Sequence, residues 1–289
     1  MIDPSVPLVS IVTPSYNCAP FLADCIESIL AQDYPRIEYI VMDGGSTDGT
    51  LSILQRYRDR IAHIHSGRDS GQGEAINQGL QSAHGEIVAF LNADDAYLPE
   101  AVSEAVRSLT ARPEIAVVYG NALHVAEDGA TLADYPTRDF DREALKRDCY
   151  ICQPAAFVRR TAFDRVGGMN PALRYVLDYD LWIRLAADGE FLRIERYLAK
   201  SRLHRGSKSV CARPAFYREV FATLRRHYGY VPYEWVQGYA SYLAGEKEQF
   251  FSRPRNSWLS VPLCLAIGCY LNRSRIPEFF ADWQAHRSL

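Results

Sequence analysis

No long run of Lys or Arg occurs in the chain. Its 289 residues carry 32 Lys and Arg against 35 Asp and Glu, for a formal net charge of −3. The basic footprint that neutralises nucleic-acid phosphates is missing, which excludes nucleic acid as an expected partner. Gly-rich phosphate loops are missing too: Gly71 and Gly73 begin a GxGxxG, but position 76 is Ile, and no GxxxxGK[ST] exists. These absences argue against dinucleotide dehydrogenases and P-loop enzymes. Cysteine is sparse and odd in number, seven residues scattered at Cys18, Cys25, Cys149, Cys152, Cys211, Cys264 and Cys269. That pattern fits reduced thiols and a cytoplasmic setting better than a disulfide framework. The lone CxxC of Cys149 and Cys152 has no second pair or nearby His, so packing is expected there rather than structural zinc. The first residues, MIDPSVPLVS, lack the charged and apolar regions of a signal peptide, so secretion is not indicated.

With 48% hydrophobic and 23% charged residues, the composition is that of an ordinary globular chain, able to bury one large core and a modest appendage. The first 120 residues alternate short apolar runs with amphipathic segments. Strands are predicted at Val9 to Thr13, Glu38 to Met42, Ile61 to His65, Ile87 to Leu91 and Ala116 to Tyr119. Helices are predicted at Ala19 to Ala31, Asp48 to Tyr57, Gly73 to Ala83 and Glu100 to Ala111. Crossovers of this length imply parallel pairing, hence an α/β fold with an open, mostly parallel sheet flanked by helices. After Gly120 the pattern changes to short strands around the turn of Glu127, Asp128 and Gly129. From Ala212 onward, Phe216, Tyr217, Val220, Phe221 and Leu224 recur at helical spacing. The expected division is residues 1–210, with a nucleotide half to about 120 and an acceptor half beyond it, then a helical extension over 211–289.

In an open α/β sheet, ligands bind beyond the carboxyl ends of the strands. Four polar clusters stand there: Thr13 to Asn17, Asp43 to Asp48, Arg68 to Gly73, and Asn92 to Asp95. Each alone could be cap or turn chemistry. Four at consecutive strand ends, with a carboxylate ending two of the strands, point to a ligand. Asp94 and Asp95 are adjacent like charges that a divalent cation would relieve, and hard oxygen ligands suit Mg²⁺ or Mn²⁺.

Taken in order, Val9 to Asn17 (VSIVTPSYN), Tyr39 to Thr50 (YIVMDGGSTDGT), Leu91 to Asp95 (LNADD) and Asp178 to Arg184 (DYDLWIR) resemble the family 2 glycosyltransferases of the GT-A fold, over about residues 7–210. The resemblance implies an inverting transferase for a nucleotide-diphosphate sugar, a UDP-sugar, acting on a glycan or lipid-linked acceptor in bacterial surface-polysaccharide assembly. It places Thr13, Pro14 and Tyr16 in the base pocket, Asp43 on the uracil or ribose, and Arg68 beside the nucleotide. With Ser15, Gly44, Ser46, Gln72, Asn92 and Asp94 these form the nucleotide-binding set. Asp94 and Asp95 take the position of the family's DxD motif, although Asn92 stands where many relatives have its first Asp. Asp178 aligns with the family's general base, with Leu177 replacing the neighbouring Glu. Asp180 is the alternative base, and a helix cap the alternative role for Asp178. His204 is implied as a third metal ligand or diphosphate contact, and Arg202 and Lys208 as cations on the leaving group. Two rival readings are a nucleotidyltransferase, which would need a basic Gly-rich first loop, and a non-catalytic sugar-nucleotide-binding module.

Trp258 to Leu271 (WLSVPLCLAIGCYL) carries no charge and has Arg on both sides. It falls short of the roughly 20 residues that span a bilayer. It reads either as a core or homodimer helix, or as an interfacial segment that holds the protein at the inner face of a membrane.

Overall fold

The computed structural model describes residues 6–204, 206–207, 212–245 and 257–286. The chain divides into two compact units, Met1–Phe140 with Tyr150–His204, and Asp141–Cys149 with Arg205–Leu289. The second unit thus takes in a short stretch from the middle of the predicted acceptor half.

The first unit is built on a sheet whose strands, in chain order, are β1 (Val9–Ser15), β2 (Ile37–Asp43), β3 (His63–Ser66), β4 (Ile87–Phe90), β5 (Ala96–Tyr97), β6 (Ile115–Val125), β7 (Thr131–Asp134), β8 (Ala156–Arg159) and β9 (Glu190–Arg202). Their spatial order is β3-β2-β1-β4-β8-β6-β9-β5, with β7 paired to β6. The predicted parallel core is present: β1 pairs in parallel with β2 and β4, and β2 with β3. Beyond β4 the sheet is mixed. β8 inserts antiparallel between β4 and β6, and β6 pairs in parallel with β9, whose far end also takes β5.

Helices cover both faces, as parallel strands require. Helix α1 (Ala19–Leu30) buries Phe21, Leu22, Cys25, Ile26 and Ile29 at 3.6-residue spacing. Leu22, Cys25, Ile26 and Ile29 pack in one cluster with Val9 and Ile11 of β1. Burial contributes about 1.5–3 kcal/mol for each large aliphatic or aromatic side chain. Helix α2 (Thr50–Arg56) supplies Ile53 and Leu54 to that cluster, and after α3 (Gln72–Gln81) on the opposite face, α4 (Ala101–Ala111) adds Val102 and Leu109. The short helices α5 (Arg142–Arg147) and α6 (Arg160–Arg165) are followed by α7 (Leu177–Asp188).

The second unit contains α5 together with α8 (Arg213–Tyr228), α9 (Tyr233–Leu243), α10 (Ser260–Leu271) and α11 (Ile276–His286). Its polar centre is Asp282, which accepts from Tyr230 OH, the Tyr233 N–H and the Arg147 guanidinium. Among the described residues no helix is long and apolar enough to cross a membrane.

Candidate active site

The predicted strand-end clusters converge in the first unit, where the β1 and β2 loops are stapled together. Asn17 adopts a left-handed φ of 51°, a conformation that Asn tolerates better than most residues. Its N–H donates to Ser46 Oγ at 2.8 Å, and its side-chain oxygen accepts from the Thr47 N–H at 2.8 Å. Sequence reasoning gave Asn17 no role of its own within the first cluster, although an Asn directly after a strand was the available signal.

Asp43 closes β2 and is buried. Its carboxylate accepts from the N–H groups of Gly45 and Ser46, from Ser46 Oγ and from Ser66 Oγ. The Gly44 N–H donates to the Ser15 carbonyl at 2.8 Å, and Gly45 turns the chain at φ 82°. Thr13 is fully buried with its hydroxyl toward Tyr39 OH and Cys25, so its side chain points into the core. The Ser15 hydroxyl is buried with no partner among the described residues. Tyr16 is 62% exposed at the rim, and Arg68 is exposed beside Gly45.

Beyond β4 the predicted metal residues separate into two roles. Asp94 Oδ2 faces His204 Nε2 at 3.0 Å, with the side chains 25% and 16% exposed. The His204 ring leans on Phe21, centroids 4.7 Å apart. Asp95 is buried instead, and both its oxygens are engaged, by the Arg202 N–H at 2.9 Å and by Asn92 Nδ2 at 3.2 Å. Burial, and after it the charge of Asp94, pushes the Asp95 carboxyl well above the usual carboxylate range, against the hydrogen bonds from Arg202 and Asn92. Among the described residues no three His, Cys, Asp or Glu side chains gather as a ligand set. Asp94 and His204 do offer one hard oxygen and one imidazole nitrogen at an accessible edge. The carboxylate oxygen suits Mn²⁺ or Mg²⁺, which keep most positions for water and phosphate oxygens, and the imidazole favours the transition ion of the two.

Local electrostatics agree with this donor set. The Cys18 thiol is pushed up to about 11, by burial first and then by the charges of Asp94, Asp48 and Asp43, against its hydrogen bond to the Tyr16 carbonyl. The charges of Asp94, Asp48 and Asp43 thus act together on this strand-end region.

Arg202 does not reach outward as a free diphosphate cation. Its Nε donates to the Asp94 carbonyl at 2.9 Å, its Nη1 to the Glu127 carbonyl at 2.9 Å and more weakly to that of Ala126, and its Nη2 to Asp24 at 3.3 Å. The guanidinium lies over the Phe21 ring. Arg202 therefore ties the β6–β7 turn to the Asp94 backbone, two residues before His204. Lys208 lies outside the described residues.

Behind these residues runs an amide chain. Gln72 Nε2 donates to Asn92 Oδ1, Asn92 Nδ2 donates to Gln153 Oε1 at 3.0 Å as well as to Asp95, and Gln153 donates to the Phe90 carbonyl. Asn92 is neutral where a carboxylate was the family expectation, and here it acts as a two-sided hydrogen-bond bridge. Gln153 carried no sequence signal, because it stands in an irregular stretch after the CxxC.

The two carboxylates of α7 are also separated. Asp178 is part-exposed in the first helical turn and accepts from the Tyr179 N–H at 2.8 Å. Asp180, the alternative base, is 1% exposed and paired with Arg184 at 2.8 Å. The start of α7 sits close against the start of α3: a Cβ on Gly73 would lie 2.8 Å from Leu177 Cδ2. Burial raises the Cys152 thiol well above its ordinary value, and the charges of Asp95 and Asp178 add to it.

Residues 10–167 match the profile of Glycosyl transferase family 2. Chondroitin synthase of Escherichia coli is 30% identical over 209 residues, covering 71% of this chain and 30% of that relative's length. Among solved structures, S. aureus TarS in complex with UDP-GlcNAc superposes with a TM-score of 0.66 at 18% identity, over 94% of this chain and 83% of that one. Mannosyltransferase PcManGT from Pyrobaculum calidifontis, in complex with GDP-Man and Mn²⁺, gives 0.60 at 20% identity, over 99% and 77%. At these identities the two structures establish a shared fold, and the profile match covers more than half of the chain: the protein belongs to glycosyl transferase family 2.

Proposed function

We propose that the protein transfers a sugar from a nucleotide-diphosphate donor, a UDP-sugar, to an acceptor hydroxyl with inversion at the anomeric carbon. The observation that carries this reading is the facing of Asp94 Oδ2 and His204 Nε2 across 3.0 Å at the carboxyl end of the parallel strands. The nucleotide would lie along the loops after β1 and β2, with Tyr16 and Arg68 at its rim. Asp43 acts mainly by shaping its loop. The ligands bound in the two structural neighbours, a UDP-sugar in one and a GDP-sugar with Mn²⁺ in the other, support the donor class and the cation.

Asp94 and His204 would hold the divalent cation, which, when bound, neutralises charge on the departing diphosphate. Asp178 takes the acceptor proton. It stands part-exposed in the first turn of α7. The acceptor oxygen forms its bond to the anomeric carbon as the bond to the diphosphate breaks on the opposite face, and the electron pair leaves with the nucleotide. Arg202 and Asp95 position Asp94 and His204 and do not touch the donor. The acceptor is a glycan or a lipid-linked sugar.

UDP release from a panel of UDP-sugars, with and without Mn²⁺, tests the reading on the wild type and on Asp94→Ala. Cation-dependent release that Asp94→Ala abolishes is the expected result. No release from any nucleotide sugar, with UDP still binding, would leave a sugar-nucleotide-binding protein in place of a transferase.

A further inference from the structure

Helix α10 is apolar around its whole circumference, yet the second unit covers only one side of it. Ser260, Cys264 and Gly268 are buried, and Asn272 continues the same stripe just past the helix. Gly268 lies so close to Phe279 of α11 that a Cβ there would overlap the ring. The opposite stripe, two residues out of step, is Pro262, Ala266 and Tyr270, with Trp258 in the turn leading into the helix. All four are exposed, Trp258 by 83% and Tyr270 by 75%. A helix of this composition is normally enclosed on all sides. Twelve residues extend about 18 Å, too short to cross a bilayer but long enough to lie along one.

Charge selects the occupant. Residues 205–289 contain twelve Lys and Arg against six Asp and Glu, a net of +6, whereas residues 1–204 contain 20 against 29, a net of −9. A second copy would bring a segment of the same net charge, which like-charge repulsion opposes. An anionic surface is attracted by it. Trp and Tyr at the two ends of the outward stripe have the amphipathic character that suits a headgroup boundary.

We propose that the exposed face of α10, with Trp258 before it and Arg273 and Arg275 after it, docks the protein in the plane of an anionic lipid bilayer. This surface is separate from the residues assigned to sugar transfer, so its test does not depend on activity.

The experiment is flotation of the full-length protein with vesicles of phosphatidylcholine alone or with about 30% phosphatidylglycerol, at low and high salt. At least tenfold more protein should float with the anionic vesicles at low salt, and the difference should shrink at high salt as charges are screened. Ala266→Asp and Tyr270→Asp, at solvent-facing positions, should abolish flotation while keeping the wild-type melting temperature and UDP binding. Absent or composition-independent flotation overturns the proposal. A wild-type dimer in light scattering that Ala266→Asp converts to monomer overturns it as well, in favour of a second copy on this face.

Discussion

Arg202→Met is the substitution with the most distinctive outcome, because the resemblance assigns this residue to the diphosphate and the structure commits it to backbone. Methionine would remove two good hydrogen bonds to the Asp94 and Glu127 carbonyls and a weaker one to Ala126, and would lift the cation off the Phe21 ring. A hydrogen bond from a charged donor is worth about 1.5–3 kcal/mol net. Glu127 lies in an exposed turn, where water can replace the lost donor, and the exposed Asp24 partner contributes little. The summed loss is about 3–5 kcal/mol. In a unit of this size each kcal/mol moves the melting temperature by about 2–4 °C, so a fall on the order of 10 °C is expected in differential scanning calorimetry of the ligand-free protein. Arg202→Lys should recover part of it. A melting temperature within about 2 °C of wild type, with donor KM raised at least tenfold, would refute the clamp and return Arg202 to the diphosphate.

Asp178→Asn should lower kcat by about 10² to 10⁴ with unchanged UDP affinity and melting temperature; full turnover in a folded Asp178→Asn protein would remove that residue from the role of base. Asp180→Asn should instead destabilise the fold by about 3 kcal/mol through its buried Arg184 partner, read as a lower melting temperature. Normal stability with lost turnover would make Asp180 the base. Asp95 has a raised folded-state pKa. Its contribution to stability is therefore complete below the ordinary Asp range near pH 4 and is lost as pH rises through the raised value. Metal-free wild type should lose stability relative to Asp95→Asn over that rise, and a pH-independent difference between the two melting curves would contradict this.

The nucleotide half was legible because its cues are local. Period-2 and period-3.6 apolar spacing located β1, α1, β2, α3 and β4 within a few residues, and the polar clusters marked their ends. The second half was less so. Strand β8 enters antiparallel between β4 and β6, a choice made by long-range pairing that AFVR alone does not encode. The sequence pattern does not show which of Asp178 and Asp180 is buried: two residues along a helix turn the side chain about 200°, which leaves Asp178 part-exposed and carries Asp180 under Arg184. Adjacent Asp94 and Asp95 likewise suggested a shared cation, whereas the turn after β4 directs one to His204 and the other to the Arg202 backbone. Asn92 was seen as a lost charge, and its use as a bridge between Gln72 and Gln153 required knowing where a residue 61 positions away would lie.

The most direct test of the Asp94–His204 site is the thermal stability of wild type and His204→Ala with UDP, GDP, dTDP and CMP, each with and without Mn²⁺, since a ligand of the native state raises the midpoint by mass action. A Mn²⁺-dependent rise with UDP in the wild type, lost or much reduced in His204→Ala, is the expected result. A rise that ignores both the cation and the substitution, or none with any nucleotide, would contradict the assignment of Asp94 and His204 to a cation-bridged diphosphate.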